Sequence, residues 1–185
     1  MKELSLNILD IVNNSITAGS TQIDIVVDYN FSVNLLTLVI TDNGCGMSQE
    51  FIAKVCDPFT TTRTTRKVGL GIPLFKLSAL QSNGSFNITS KVGFGTTITA
   101  TFEINNIDRM PMGDLASTIS LLIQANQNIN YLFTYRVNKQ EFIFSTLEIK
   151  EMLGEVSIVQ PEVTQFISNY ILENINKTNG GYEIL

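Results

Sequence analysis

Apolar residues recur at helical spacing near the start of the chain. Leu4, Ile8, Leu9, Val12 and Ile16 share one stripe, while Asn7, Asp10 and Asn14 fall together on another face. This pattern predicts a helix over residues 2–18, closed by the glycine signal of Ala18-Gly19-Ser20. Gln22–Asp28 then alternates as a strand, and a polar turn is expected across Tyr29–Asn34. The next run, Leu38-Val39-Ile40-Thr41, is apolar enough to suggest a strand buried on both faces, and it leads directly into Asp42-Asn43-Gly44-Cys45-Gly46-Met47. Ser48 offers an N-cap to a short helix over Gln49–Val55, which ends near Pro58 because the residue before a proline is biased away from helix.

Phe59–Val68 shows no periodicity and holds Arg63, Arg66 and Lys67 among threonines, a basic run in an acidic chain. Gly69-Leu70-Gly71-Ile72-Pro73 follows, and a helix is expected beyond it with Leu74, Phe75, Leu77 and Leu80 as its apolar positions. Two strand patterns, Ser85–Lys91 and Thr96–Ile104, are joined by Gly93-Phe94-Gly95. Past Asn106 the pattern changes. Pro111 and Gly113 mark an expected boundary, after which a helix over Asp114–Gln124 precedes a hairpin formed by Ile129–Val137 and Glu141–Ser145. Ser145-Thr146-Leu147-Glu148 is a capping-box pattern for a helix stopping at Gly154. Pro161 opens a last helix whose Val163, Phe166, Ile167, Tyr170 and Ile171 form a stripe expected to pack on the hairpin.

Composition narrows the classes. With 185 residues, 44% hydrophobic and 16% charged, the chain is globular, and no apolar run approaches the ~18 residues of a membrane span. No targeting segment is evident, so a cytoplasmic setting is the expectation. A net charge of -5 and a pI near 4.7 argue against a nucleic-acid partner, which would need a basic surface. Two cysteines, Cys45 and Cys56, and no histidine make a zinc site improbable; both thiols are expected to be buried.

Asp42 concentrates the chemistry. A carboxylate at the mouth of a buried strand loses water on one side and needs a donor, either backbone N–H groups or a ligand amine. The motif taken alone fits a strand-ending Asx turn equally well. The Gly69–Gly71 junction is likewise a weak signal by itself, although unpaired N–H groups at a helix start suit phosphate oxygens. The basic run before it is commonly just a solvated loop.

Taken in order, Asp10-Ile11-Val12-Asn13-Asn14-Ser15, the DNGCGM run, Asp57-Pro58-Phe59, Gly69-Leu70-Gly71 and Gly93-Phe94-Gly95-Thr96-Thr97 resemble the boxes of the GHKL ATPases. That family includes the gyrase, heat-shock chaperone, histidine kinase and MutL proteins. The resemblance spans about residues 1–104 and implies the Bergerat ATP-binding fold, an α+β two-layer sandwich with a mixed sheet covered on one face by helices. The organisation expected is therefore an ATP-binding domain over residues 1–106 and a small α/β unit over 107–185.

The resemblance also implies roles. Asp42 would accept the adenine amino group, and Asn14 would be the Mg2+ ligand, a hard oxygen donor. Gly69, Leu70 and Gly71 would cradle phosphates with Arg63 and Lys67, and Phe59–Val68 would be a lid. Gly44 and Gly46 would let the nucleotide lie against the backbone, and Thr97 would line the adenine pocket. Asp10 stands where relatives carry a Glu that orients the attacking water, one carbon–carbon bond shorter. Lys67 and Cys56 also depart from the family pattern.

The cofactors implied are ATP and Mg2+. The activity implied is an ATPase or a protein kinase acting in trans on a protein phosphoacceptor, since a chain without histidine cannot phosphorylate itself as a histidine kinase does. The alternative is a nucleotide-gated interaction protein with little turnover. These are distinguished by phosphate release beside a binding titration.

Overall fold

The structure, a computed structural model, describes residues 3–56, 70–182 and 184. Helix α1 (Leu4–Thr17) leads into the hairpin β1 (Gln22–Asn30) and β2 (Leu35–Asp42). The short helix α2 (Gln49–Val55) and helix α3 (Gly71–Gln81) precede a second hairpin, β3 (Phe86–Lys91) and β4 (Gly95–Glu103). Helix α4 (Leu115–Ala125), strands β5 (Asn130–Val137) and β6 (Gln140–Ser145), and helices α5 (Thr146–Leu153) and α6 (Pro161–Asn179) complete the chain.

All six strands join one mixed sheet in the order β3-β4-β2-β1-β5-β6. Only the β1–β5 pair is parallel. Residues on either side of the boundary expected at Asn106 thus share a sheet, because β5 hydrogen-bonds along the full length of β1 from Gln22 to Tyr29. They also share a core. Leu4, Ile8 and Ile11 of α1, Ile25 of β1 and Ile40 of β2 belong to the same apolar cluster as Ile119 of α4, Phe133 of β5 and Ile171 of α6.

The sheet has one dry face. Ile23, Ile25, Val27 and Tyr29 are buried along β1, and Leu36, Leu38, Ile40 and Asp42 along β2, while the residues between them remain half-exposed. Helices α1, α3 and α6 contact the strands on the buried side, and α4 lies against both α1 and α6. This corrects the expectation that β2 is buried on both faces. Its Leu35, Thr37, Val39 and Thr41 point to the face that no described helix covers, and strict alternation sends every second side chain there.

Three other expectations change with tertiary contact. β1 takes the first two residues of the predicted turn, running to Asn30, since Tyr29 is a core residue and not a loop residue; the turn itself occupies residues 31–34. In α3 the buried positions are Ile72, Phe75 and Ala79, whereas Leu74, Leu77 and Leu80 are exposed. On α6, Ile167 and Ile171 are buried and Tyr170 packs on Phe142 and Phe144 of the hairpin as expected, but Phe166 remains largely exposed.

Candidate functional site

Three sequence-distant segments meet at the end of β2. Asp42 is 8% exposed, and both carboxylate oxygens are engaged: Ser15 Oγ donates to Oδ2 at 2.7 Å and the Gly44 N–H donates to Oδ1 at 2.9 Å. Each oxygen retains a second lone-pair direction, so the carboxylate is held in place without being saturated. Ser15 closes the apolar stripe Leu4, Ile8, Ile11 of α1 and therefore faces the sheet. A single polar residue at the end of that stripe was the sequence signal for it, and sequence reasoning left it unassigned.

The loop after Asp42 is clamped from both sides. Asn43 Oδ1 accepts the N–H groups of Thr21 and Gln22 at 2.9 and 3.0 Å, and its Nδ2 donates to Thr21 Oγ1 at 2.9 Å. Cys45 N–H donates to Ala18 O, and Gly93 N–H donates to Cys45 O, which ties the loop to α1 and to the β3–β4 turn. Met47 N–H donates to Ser90 Oγ at 2.8 Å.

The glycines in this loop are required by the protein's own packing. A Cβ at Gly44 would lie 2.7 Å from Ser20 Oγ and 2.9 Å from Ala18 Cβ. At Gly46, where φ is +65°, a Cβ would lie 2.0 Å from Lys91 O. The space a Cβ would take at each is filled by chain atoms, so packing alone already requires glycine at both positions. Cys45 is exposed and Cys56 half-exposed, contrary to the expected burial, because the loop turns the first thiol outward.

Thr97 is not beside Asp42. The register pairs Asp42 with Thr96, and Thr97 with Thr41, whose hydroxyls lie 3.2 Å apart on the uncovered face. Thr96 shares the covered side with Asp42 and Ser90, and its hydroxyl is 2.9 Å from Ser90 Oγ. The signal was present in the alternation: Ile98, Ala100 and Phe102 mark even-numbered residues of β4 as inward, and Thr96 continues that set.

A second group forms where α1 meets the start of α3. A Cβ at Gly71 would stand 3.2 Å from Asp10 Cβ and 3.3 Å from Asp10 Oδ2, so the glycine lets the first turn of α3 lie against that side chain. Asp10 is half-exposed and Asn14, one turn further along the helix, is exposed. The start of α3 carries the positive end of its helix dipole, which attracts anions, and the Asp10 carboxylate stands beside it. Among the described residues no cluster of three or more His, Cys, Asp or Glu side chains could hold a metal alone. That donor set suits Mg2+ shared with a bound phosphate, which Mg2+ prefers to an all-protein cage.

Leu70 is exposed next to this helix start, whereas Arg63, Lys67, Gly69 and the lid expected over Phe59–Val68 lie outside the described residues. A cavity of about 490 Å³ sits at the opposite end of the sheet, among Asn30, Val137, Gln140, Thr178 and Tyr182, and contains none of the residues singled out from sequence.

The fold and this constellation define a helix-covered mixed sheet with a buried acceptor at one strand end, held by Ser15 of α1, and an anion-attracting helix start packed against Asp10 of the same helix. Solved structures share the fold: the N-terminal domain of a DNA repair protein superposes with a TM-score of 0.54 at 15% identity, covering 85% of this chain and 59% of that one. The Aquifex aeolicus MutL ATPase domain complexed with ADP superposes at 0.52 and 14% identity, covering 83% and 69%. Among sequences, a putative sensor protein of Shewanella frigidimarina is 32% identical over 109 residues, and the signal transduction histidine-protein kinase AtoS of Escherichia coli is 32% identical over 106. These alignments cover 58% and 57% of this chain but 17% of each relative. Residues 2–106 match the family described as histidine kinase-, DNA gyrase B-, and HSP90-like ATPase, and the chain belongs to it. The family match ends where β4 and its following turn end, while the structural likeness extends beyond it.

Proposed function

We propose that the chain binds ATP with Mg2+ at the end of β2 and transfers or releases its terminal phosphoryl group in a signalling setting, acting on a separate protein. The observation that carries this reading is the Asp42 carboxylate, nearly buried and held by Ser15 and Gly44 N–H with acceptor capacity to spare. An adenine amino group donates where guanine presents a keto oxygen, so this acceptor favours adenine. Asp10 would then act on the attacking oxygen and Asn14 would hold the ion, with Gly69, Leu70 and Gly71 at the phosphates. The ion supplies charge neutralisation between the phosphates and the Asp10 carboxylate. Exposed Leu70, Leu74 and Leu77, spaced on one side of the α3 start, support contact with a protein partner near that end.

A second reading, a nucleotide-gated interaction protein with little turnover, is favoured by the short Asp10 side chain packed against Gly71. One pair of measurements separates the two. ATP binding is followed by calorimetry with Mg2+, and phosphate release is followed in parallel for the parent and for Asp10→Asn. Turnover in the parent that is lost in Asp10→Asn with binding retained supports the enzyme. Binding without release in both supports the gate, and absence of binding refutes both.

A further inference from the structure

Strand β6 ends the sheet, and among the described residues no strand pairs with its outer edge. Its sequence, Gln140-Glu141-Phe142-Ile143-Phe144-Ser145, lacks the lysine or proline that commonly blocks such an edge. The charge of Glu141 is taken up by an ion pair with Arg136 on β5. On the helix side of this edge lies an aromatic patch. Tyr170 stands 5.8 Å from Phe142 and 6.4 Å from Phe144, ring centre to ring centre, and Phe166 stacks on Tyr170 at 6.0 Å. Phe166 is nonetheless 61% exposed, Tyr170 39%, and Ile143 on the other face of the strand 52%.

We propose that this edge is the interface of a symmetric homodimer, in which β6 pairs antiparallel with β6 of a second copy and α6 packs antiparallel on its counterpart. A two-fold axis normal to the sheet keeps like faces together, so paired residue numbers must have the same parity. An axis at Ile143 places Ile143 on Ile143, Phe142 on Phe144 and Glu141 on Ser145. Apolar groups then oppose apolar groups, and no like charges meet. Moving the axis to Phe142 sets Glu141 against Ile143 and Gln140 against Phe144, which is poorer on both counts.

The helix accommodates the same axis. Glu162, Phe166, Tyr170, Glu173 and Lys177 lie on one side of α6; the midpoint between Glu162 and Lys177 falls beside Tyr170, and about it Glu173 of one copy meets Phe166 of the other. Because the Tyr170 ring contacts the two phenylalanines flanking Ile143, an axis through Ile143 also passes the middle of α6. Antiparallel packing about it brings Glu162 of each copy to Lys177 of the other, two opposite-charge pairs about 22 Å apart along the helix. The strand is self-complementary about this line and the two Glu162–Lys177 pairs match across it, which argues for a second copy as the occupant.

Sedimentation of the full chain without nucleotide tests this. A dimer with a dissociation constant of about 10 µM or tighter is expected. Ile143→Lys places two ammonium groups face to face on the axis at an exposed position and should weaken the dimer at least tenfold with an unchanged melting temperature. Lys177→Glu should weaken it severalfold, and Glu162→Lys combined with Lys177→Glu should restore the parental value. A parent that is monomeric at about 100 µM overturns the proposal. So does a dimer indifferent to Ile143→Lys, or a charge swap that fails to rescue.

Discussion

Asp42→Asn isolates the charge of the candidate base-selecting residue while preserving its shape. In the parent, Ser15 Oγ donates to Oδ2 and Gly44 N–H donates to Oδ1. The amide can satisfy both neighbours. Its oxygen takes the Oδ1 place and still accepts from Gly44, and its NH2 takes the Oδ2 place and donates to Ser15 Oγ, which rotates to accept. Two charge-assisted bonds become neutral ones, but a carboxylate with only 8% exposure no longer has to be kept charged, so the net stability change is expected within about 1 kcal/mol. The ligand side is different. If the adenine amino group donates to Oδ2, the variant offers it an NH2 donor, and the loss is that of a hydrogen bond to a charged group, about 1.5–3 kcal/mol. That is roughly a 10- to 150-fold rise in the ATP dissociation constant. Guanine, whose keto oxygen can accept from the new NH2, should lose nothing and can gain. Calorimetric titration of both proteins with ATP and GTP, beside thermal melts, reads all of these. An unchanged ATP affinity in a folded variant, or a parental protein that binds GTP as well as ATP, would refute the assignment of Asp42 as base selector.

Thr96→Val should weaken ATP by about 0.5–1.5 kcal/mol while Thr97→Val leaves it unchanged, because only Thr96 shares the side of β4 that faces Asp42; the opposite ranking in a titration would overturn that placement. Gly46→Ala should cost on the order of 2 kcal/mol or more in urea unfolding, since it combines a positive φ with a Cβ placed 2.0 Å from Lys91 O; a loss below about 0.5 kcal/mol would show that the loop moves freely. Alkali should destabilise the fold. Burial pushes the Tyr131 phenol up to about 12 from an ordinary 10, and raises Tyr29 and Tyr135 as well. Above pH 10 the unfolded phenols ionise while the folded ones keep their protons, so stability is full below pH 10 and falls as pH rises towards 12, by about 1.4 kcal/mol per pH unit for each tyrosine. Unfolding followed together with phenolate absorbance should show ionisation of these three rings coinciding with loss of structure; normal titration of all five tyrosines in the folded protein would refute it.

Local pattern was enough for the elements themselves. The stripe of Leu4, Ile8 and Val12, the alternation of Ile23, Ile25 and Val27, and the caps at Ser48 and Ser145 are read within a few residues, and the structure forms α1, β1, α2 and α5 there, with both cap side chains accepting an N–H from the first turn. The order of short motifs was enough to reach the family. Pairing was a different matter. Sequence showed a break near Asn106, yet β5 joins β1 by backbone hydrogen bonds that no side-chain pattern specifies, so the last third of the chain completes the sheet begun by the first. Register places Thr96 on the face that Asp42 shares and Thr97 on the other, because a shift of one residue sends a side chain through the sheet. Burial of Asp42, and the approach of Ser15 from 27 positions away, depend on how α1 crosses β2. The exposure of Leu74, Leu77 and Leu80 follows equally from what lies opposite them: an apolar residue is buried only where another element arrives to cover it, and that is settled by the packing of the whole chain.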